Sequence, residues 1–182
     1  SSADINVINL SEFANTSGFL MEEFEALNET LLAGILSNSS DSRELNELEK
    51  FAIKSFDMVV VNVCPFERVM LEKTDISEMI NNIDIVGITL LRAGAKNYKN
   101  VTVITDKIDY YVALNANEFG RLKLAAKAFN LTANYDRVVS SLLAEQTGEK
   151  PFKTLSFEKV KDLKLNETVF IKEPNEIVLK KA

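Results

Sequence analysis

An acid and a cation bracket an apolar run that holds two glycines: Asp84 opens and Lys96 closes the stretch Asp84-Ile85-Val86-Gly87-Ile88-Thr89-Leu90-Leu91-Arg92-Ala93-Gly94-Ala95-Lys96-Asn97. A carboxylate can hold or remove a proton from a reacting N–H or O–H group, and an ammonium can stabilise negative charge as it develops. If residues 89–97 are helical, Arg92 and Lys96 share one face, being four apart. Ile88, Leu91 and Ala95 then lie on a face that can be buried. Each charged residue also has a purely structural reading. Asp84 can cap a helix that begins near Gly87, and a lysine suits the negative end of a helix. A second candidate group, Asn62-Val63-Cys64-Pro65-Phe66, stands at the end of a β-branched run. There Asn62 either orients a ligand or satisfies backbone groups. Cys64 reads as a small hydrophobe, because its neighbours Val63 and Pro65 are apolar and the chain has no histidine to activate a thiol.

Composition narrows the classes. With one cysteine and no histidine, an internal disulfide, a zinc site or a histidine-dependent triad within one chain is excluded. A net charge of −6 opposes general attraction to nucleic acid or anionic membranes, which needs clustered lysine and arginine. No apolar run is long enough to cross a bilayer, and residues 1–5 lack the basic start and apolar centre of a secretory signal. The expected location is cytoplasmic and reducing. At 182 residues, 46% of them hydrophobic, the chain can bury one substantial core.

The elements that must position these groups follow from periodicity. Asp4 to Leu10 alternates polar and apolar residues and reads as a strand. Gly18 to Leu36 has the composition of an amphipathic helix, with Phe19, Leu20, Phe24, Leu27, Leu31 and Leu32 available for burial. A capping signal at Asp41 or Ser42 starts a helix over Arg43 to Lys54. Phe56 to Val63 is expected as a strand covered on both faces. Asp75 or Thr74 starts a short helix through Asn81, the stretch from Asp84 supplies turn and helix, and Val101 to Thr105 is a second buried strand. Asp106 to Asn115 and Asn117 to Leu143 read as helices, the second with Leu122, Ala125, Ala126, Phe129, Ala133 and Val138 as its inward stripe. Alternating strands and helices imply an α/β fold with a mainly parallel sheet. Gly148 to Pro151 marks a boundary, giving a domain over residues 1–148 and a tail over 149–182, with short strands over Val169 to Ile171 and Ile177 to Leu179.

Several blocks together resemble a known family. Ile83-Asp84-Ile85-Val86-Gly87, Leu91-Arg92-Ala93-Gly94-Ala95-Lys96-Asn97, Asn62-Val63-Cys64-Pro65-Phe66, Lys127-Ala128-Phe129 and Thr132-Ala133-Asn134-Tyr135-Asp136 are similar to the IMP cyclohydrolase domain of the bifunctional AICAR transformylase/IMP cyclohydrolase of purine biosynthesis. They stand in that family's order across most of the chain. The resemblance implies a methylglyoxal-synthase-like layered fold and closure of the purine ring of a formylated aminoimidazole carboxamide ribotide to IMP, without metal or cofactor. It implies Asp84, Lys96 and Asn62 as catalytic residues, and Arg92, Asn97 and Cys64 as contacts to a purine ribotide.

Departures from the family pattern are specific. Where the family has an arginine, lysine, histidine and proline facing the nucleotide, this chain has Glu23, Glu25, Asn28 and Glu29, and Cys64 replaces a tyrosine. The chain is expected to lack the family's first strand and glycine-rich phosphate loop, as well as its transformylase domain. An uncovered strand edge invites pairing with another chain, so a homodimer is expected. Two readings follow: a cyclohydrolase-like domain with a depleted cationic pocket, or a non-catalytic dimeric interaction or scaffold protein descended from that enzyme.

Overall fold

The computed structural model describes residues 6–14, 27–73 and 75–149, and the backbone of two strands within 167–181. The chain divides into two compact units, Ser1–Pro151 and Phe152–Ala182.

In the first unit, α1 (Leu10–Ala14), α2 (Glu29–Leu36) and α3 (Ser42–Lys50) precede strand β1 (Met58–Val60). Helices α4 (Phe66–Glu72), α5 (Ile76–Asn81) and α6 (Ile85–Lys96) lead to β2 (Thr102–Ile104). A 3-10 turn (Lys107–Asp109), α7 (Tyr110–Ala113) and the long α8 (Glu118–Thr147) follow. β1 and β2 pair in parallel, Val59 opposite Val103, so the intervening helices form a crossover, as the alternating pattern implies.

Helix α6 joins the two halves of the core. Its Leu91 and Ala95 meet Val59, Val101, Val103 and Ile104 of the strand region and Leu124, Ala125 and Ala128 of α8. Its Ile88 meets Phe66, Val69, Tyr135, Val138 and Leu142 in a second cluster. Close approach to the sheet needs a residue without a side chain at Gly94, where a Cβ would lie 3.2 Å from the Cβ of Val59. Gly34 meets a stricter limit. A Cβ there would fall on the Lys54 carbonyl oxygen, and the Gly34 carbonyl accepts the Phe56 N–H at 3.1 Å.

Several sequence expectations are corrected. Residues 6–9 join no strand, Val7 and Ile8 are exposed, and Leu10 opens a helix instead; alternation alone does not supply a pairing partner. The helix expected over Gly18 to Leu36 does not run through Asn28, whose backbone is extended (φ −94°, ψ 158°) and whose Oδ1 caps α2 by accepting the Leu31 N–H at 2.8 Å. Residues 15–26, including Glu23 and Glu25, lie outside the described residues. β1 spans three residues and buries only Val59, leaving Met58 and Val60 exposed, so its β-branched composition does not signal two covered faces.

The inward stripe of α8 holds at Ala125 and Val138 but is otherwise rotated. Leu124, Ala125, Ala128, Thr132, Tyr135, Val138 and Leu142 are buried, while Leu122, Ala126, Phe129 and Ala133 face out. Two apolar lines with helical spacing compete here, and contacts at the start of α8 choose between them. The Arg121 guanidinium donates to the carbonyls of Tyr98, Ala116 and Lys99, and Lys127 pairs with Asp106 and Asp109.

In the second unit, β3 (Glu167–Glu173) and β4 (Glu176–Lys181) pair antiparallel with Val169 opposite Leu179, and an irregularity falls between Ile171 and Glu173. These strands contain both tail segments expected to be extended.

Helix α3 ends four residues before the expected Lys54. The Ile53 N–H returns to the Leu48 carbonyl at 2.8 Å and the Ala52 N–H to that of Glu49 at 3.0 Å, with Ala52 at φ 54°. This is the Schellman arrangement with alanine where glycine is normal. Since the left-handed conformation costs a non-glycine residue about 1–2 kcal/mol and Ala52 is exposed, Ala52→Gly is expected to stabilise the protein by about 0.5–1 kcal/mol, read as a higher urea midpoint with an unchanged slope.

Candidate functional site

The parallel strands end at a common edge. The Val61 N–H donates to the Ile104 carbonyl at 3.1 Å, so the loop carrying Asn62 and Cys64 leaves the sheet beside the end of β2. In open α/β folds the space beyond the carboxyl ends of strands is where ligands bind. Asn62 and Cys64 are both exposed there. Phe66, fully buried, anchors the loop's far end at the start of α4. The exposure of Cys64 departs from the buried hydrophobe that its neighbours suggest.

Asp84 reaches the same edge from another direction. It is half-buried and sits in extended backbone immediately before α6, where its Oδ1 accepts the Gly87 N–H at 2.6 Å. Its own N–H donates to the Tyr135 hydroxyl oxygen at 2.7 Å. Gly87 connects this cap to the loop. A Cβ at Gly87 would collide with Asp84 Oδ2 and lie 2.9 Å from Val61 Cγ1, so the bare glycine leaves space for the second carboxylate oxygen near the end of β1. The structure therefore brings Asp84, Asn62 and Cys64 to one region, and the helix cap coexists with a carboxylate oxygen that the cap does not use.

The other sequence candidates are placed elsewhere. Arg92 is exposed on α6, 3.7 Å from Asp136 and 5.9 Å from the centre of the Phe129 ring. Lys96 is exposed at the last residue of the same helix. Twelve helical residues separate its backbone from that of Asp84 by about 18 Å at 1.5 Å per residue. Asn97 caps the end of α6, and its Nδ2 donates to the carbonyls of Ile35 at 2.8 Å and Ser37 at 2.7 Å, while its Oδ1 accepts from Asn100. Asn97 thus ties α6 to the end of α2. A cleft of about 420 Å³ between α2 and α3, lined among others by Leu36, Glu44, Glu47 and Phe51, contains none of the six candidates.

Tyr135 was not singled out from the sequence. It is 5% exposed, lies edge-on to Phe66 at 5.9 Å, and its phenol titrates above its ordinary value. Burial is the largest cause, opposed by the hydrogen bond from Asp84 and reinforced by the nearby charges of Asp84, Cys64 and Asp136. Its spacing from Val138 and Leu142 is the signal that places it on the inward face of α8.

Comparison with known proteins identifies relatives over most of this chain. The AICARFT/IMPCHase bienzyme family model matches residues 94–168. The bifunctional purine biosynthesis protein PurH of Acetivibrio thermocellus is 38% identical over 189 residues, covering 95% of this chain and 37% of the relative. That of Lactobacillus acidophilus is 41% identical over 167 residues, covering 86% of this chain and 32% of the relative.

This chain belongs to the AICARFT/IMPCHase family. It spans about a third of the length of the curated relatives it matches. A crystal structure described as ForH shares the fold, with a TM-score of 0.63 at 24% identity over 75% of this chain and 76% of that one. Among the described residues no helix is long and apolar enough to cross a membrane.

The role of Gly87 is open to a direct measurement. Gly87→Ala forces the Asp84 carboxylate off its present seat, and overpacking of this kind costs about 1–3 kcal/mol. A lower urea midpoint, together with loss of the downfield shift that a strong hydrogen bond imposes on the residue-87 amide proton, is the expected result.

Proposed function

We propose that this chain is an IMP-cyclohydrolase-like domain that closes the ring of formylated AICAR to IMP at the carboxyl edge of β1 and β2. Homology to PurH motivates the substrate class. The observation that supports the assignment of residues is that one Asp84 oxygen accepts the Gly87 N–H while the other crowds the open side of Gly87, which Val61, the neighbour of Asn62, also approaches.

The step needs the substrate's carboxamide nitrogen brought against its formyl carbon. A C–N bond forms, the nitrogen gives up a proton, the formyl oxygen becomes a hydroxyl, and loss of water leaves the aromatic ring. Asp84 Oδ2 takes the nitrogen's proton, and Asn62 orients the base from the strand end. Holding the two groups in contact supplies much of such a barrier. The methylglyoxal-synthase-like layering implied by the family resemblance belongs to the same proposal, supported by the parallel β1–β2 pair, its helical crossover and the likeness to ForH.

A second reading rests on the surface. Ile108, Tyr111, Leu114, Phe119 and Leu122 are all exposed, as are Met58 and Val60 on β1. Such exposure favours a dimeric interaction or scaffold role. Sedimentation equilibrium distinguishes a dimer from a monomer of 20.4 kDa, and turnover by the same sample speaks against a purely scaffolding protein.

Asp84→Asn tests the catalytic reading cleanly, because asparagine caps helices as well as aspartate does but cannot act as the base. The variant is expected to keep its unfolding free energy within about 0.5 kcal/mol and to lose about 10²–10³ in the rate of IMP formation, followed spectroscopically. Lys96→Ala is expected to lose less than about tenfold, since a helix length of about 18 Å separates the two backbones. An Asp84→Asn protein that forms IMP at the parental rate overturns the assignment.

A further inference from the structure

We propose that Tyr135 is the positioning residue for Asp84, gripping its backbone from α8 so that the carboxylate presents Oδ2 to a substrate N–H. This rests on the cyclohydrolase-like reading above for the chemistry of Oδ2, but the grip itself is a property of the fold. Three features support it.

First, the contact spans 51 residues of sequence. It is the hydroxyl oxygen that accepts, at 2.7 Å, from the one N–H immediately outside α6. A helix cap by itself fixes only the first turn relative to the cap residue. The phenol fixes that cap residue relative to α8.

Second, the ring cannot easily move. Tyr135 is buried among Phe66, Val69, Ile88, Val138 and Leu142, with Phe66 edge-on. The oxygen is therefore delivered by a packed side chain, and a phenol, whose titration burial here raises further, is protonated at neutral pH. Because the oxygen accepts from Asp84, its proton remains available to donate to a second group.

Third, the two constraints on Asp84 are complementary. Tyr135 holds the main chain, Gly87 holds Oδ1, and the missing Cβ of Gly87 leaves Oδ2 its space. Catalytic groups must be held close to their productive geometry, and a misplacement of about 1 Å can cost 10²-fold.

The test is Tyr135→Phe in the full chain, which keeps the buried ring and deletes the hydroxyl. Amide hydrogen exchange and proton shifts are compared with the parent by NMR. The expected result is exchange at Asp84 faster by about tenfold, the order of one lost hydrogen bond, and a displaced Gly87 amide signal, with the amides of Val138 and Leu142 unchanged as a check on folding. Turnover is expected to show kcat lower by about tenfold with KM within about twofold, the signature of a lost interaction that acts in the reacting complex. Unchanged exchange at Asp84 overturns the grip. Changed exchange with unchanged kcat overturns the positioning role and leaves Tyr135 structural. If the parent protein forms no IMP, the functional reading fails separately, and the exchange measurement still decides whether Tyr135 holds Asp84. A variant whose α8 amides also lose protection is replaced by Tyr135→Met, which fills the pocket without a hydroxyl and is judged by the same Asp84 and Gly87 signals.

Discussion

The packing of α6 between the strand pair and α8 is the constraint on which the rest depends. Leu91 is fully buried and Ala95 is 2% exposed, so this helix has little freedom to slide or rotate. Glycines set the distances. Gly94 lets the helix approach β1, and Gly87 lets its first turn approach the end of the same strand. Helices on both sides of a sheet must bury their apolar faces against it, but here one helix also closes a second cluster with α4 and α8. A shift of α6 would disturb both clusters, the Asp84 cap and the Asn97 tether together.

This arrangement lets Asp84 cap α6 with one carboxylate oxygen while the other stays outside the cap. An N-cap contributes about 0.5–2 kcal/mol and uses one carboxylate oxygen. The second oxygen is left at an edge where ligands of α/β proteins collect. Lys96 and Asn97, at the opposite end of the helix, illustrate the contrasting case. Asn97 commits both of its amide hydrogens to the carbonyls at the end of α2, which makes it a structural tie. Lys96 remains in solvent, suited to the negative end of the helix dipole.

The surface is less economical than the core. Tyr111 is 84% exposed and Leu114 75%, and the outward line of α8 through Leu122 and Phe129 repeats the spacing of its inward line. An apolar face of this kind costs free energy in water unless something covers it. The chain therefore combines a closely packed interior with an exterior on which several large apolar side chains are exposed.

Local chemistry made many of the elements legible from residues alone. Asp41, Asp75, Asp84 and Asn117 are each a capping residue before a helical pattern, and each caps a helix. A parallel sheet was readable from the alternation of strand and helix patterns, and the family from short contiguous motifs. What the residues could not determine by themselves was anything requiring a choice between equivalent faces or distant partners. Either apolar line of α8 could have been buried, and the anchors at Arg121 and Lys127 decided. The β-branched run could have been covered on both sides, and only Val59 was. Tyr135 and Asp84 are far apart in the chain, so no periodicity could reveal that one accepts the other's N–H. Hydrogen-bond caps are local and leave a signature in sequence, whereas the orientation of a packed helix is set by all its neighbours at once, and only the tertiary structure contains them.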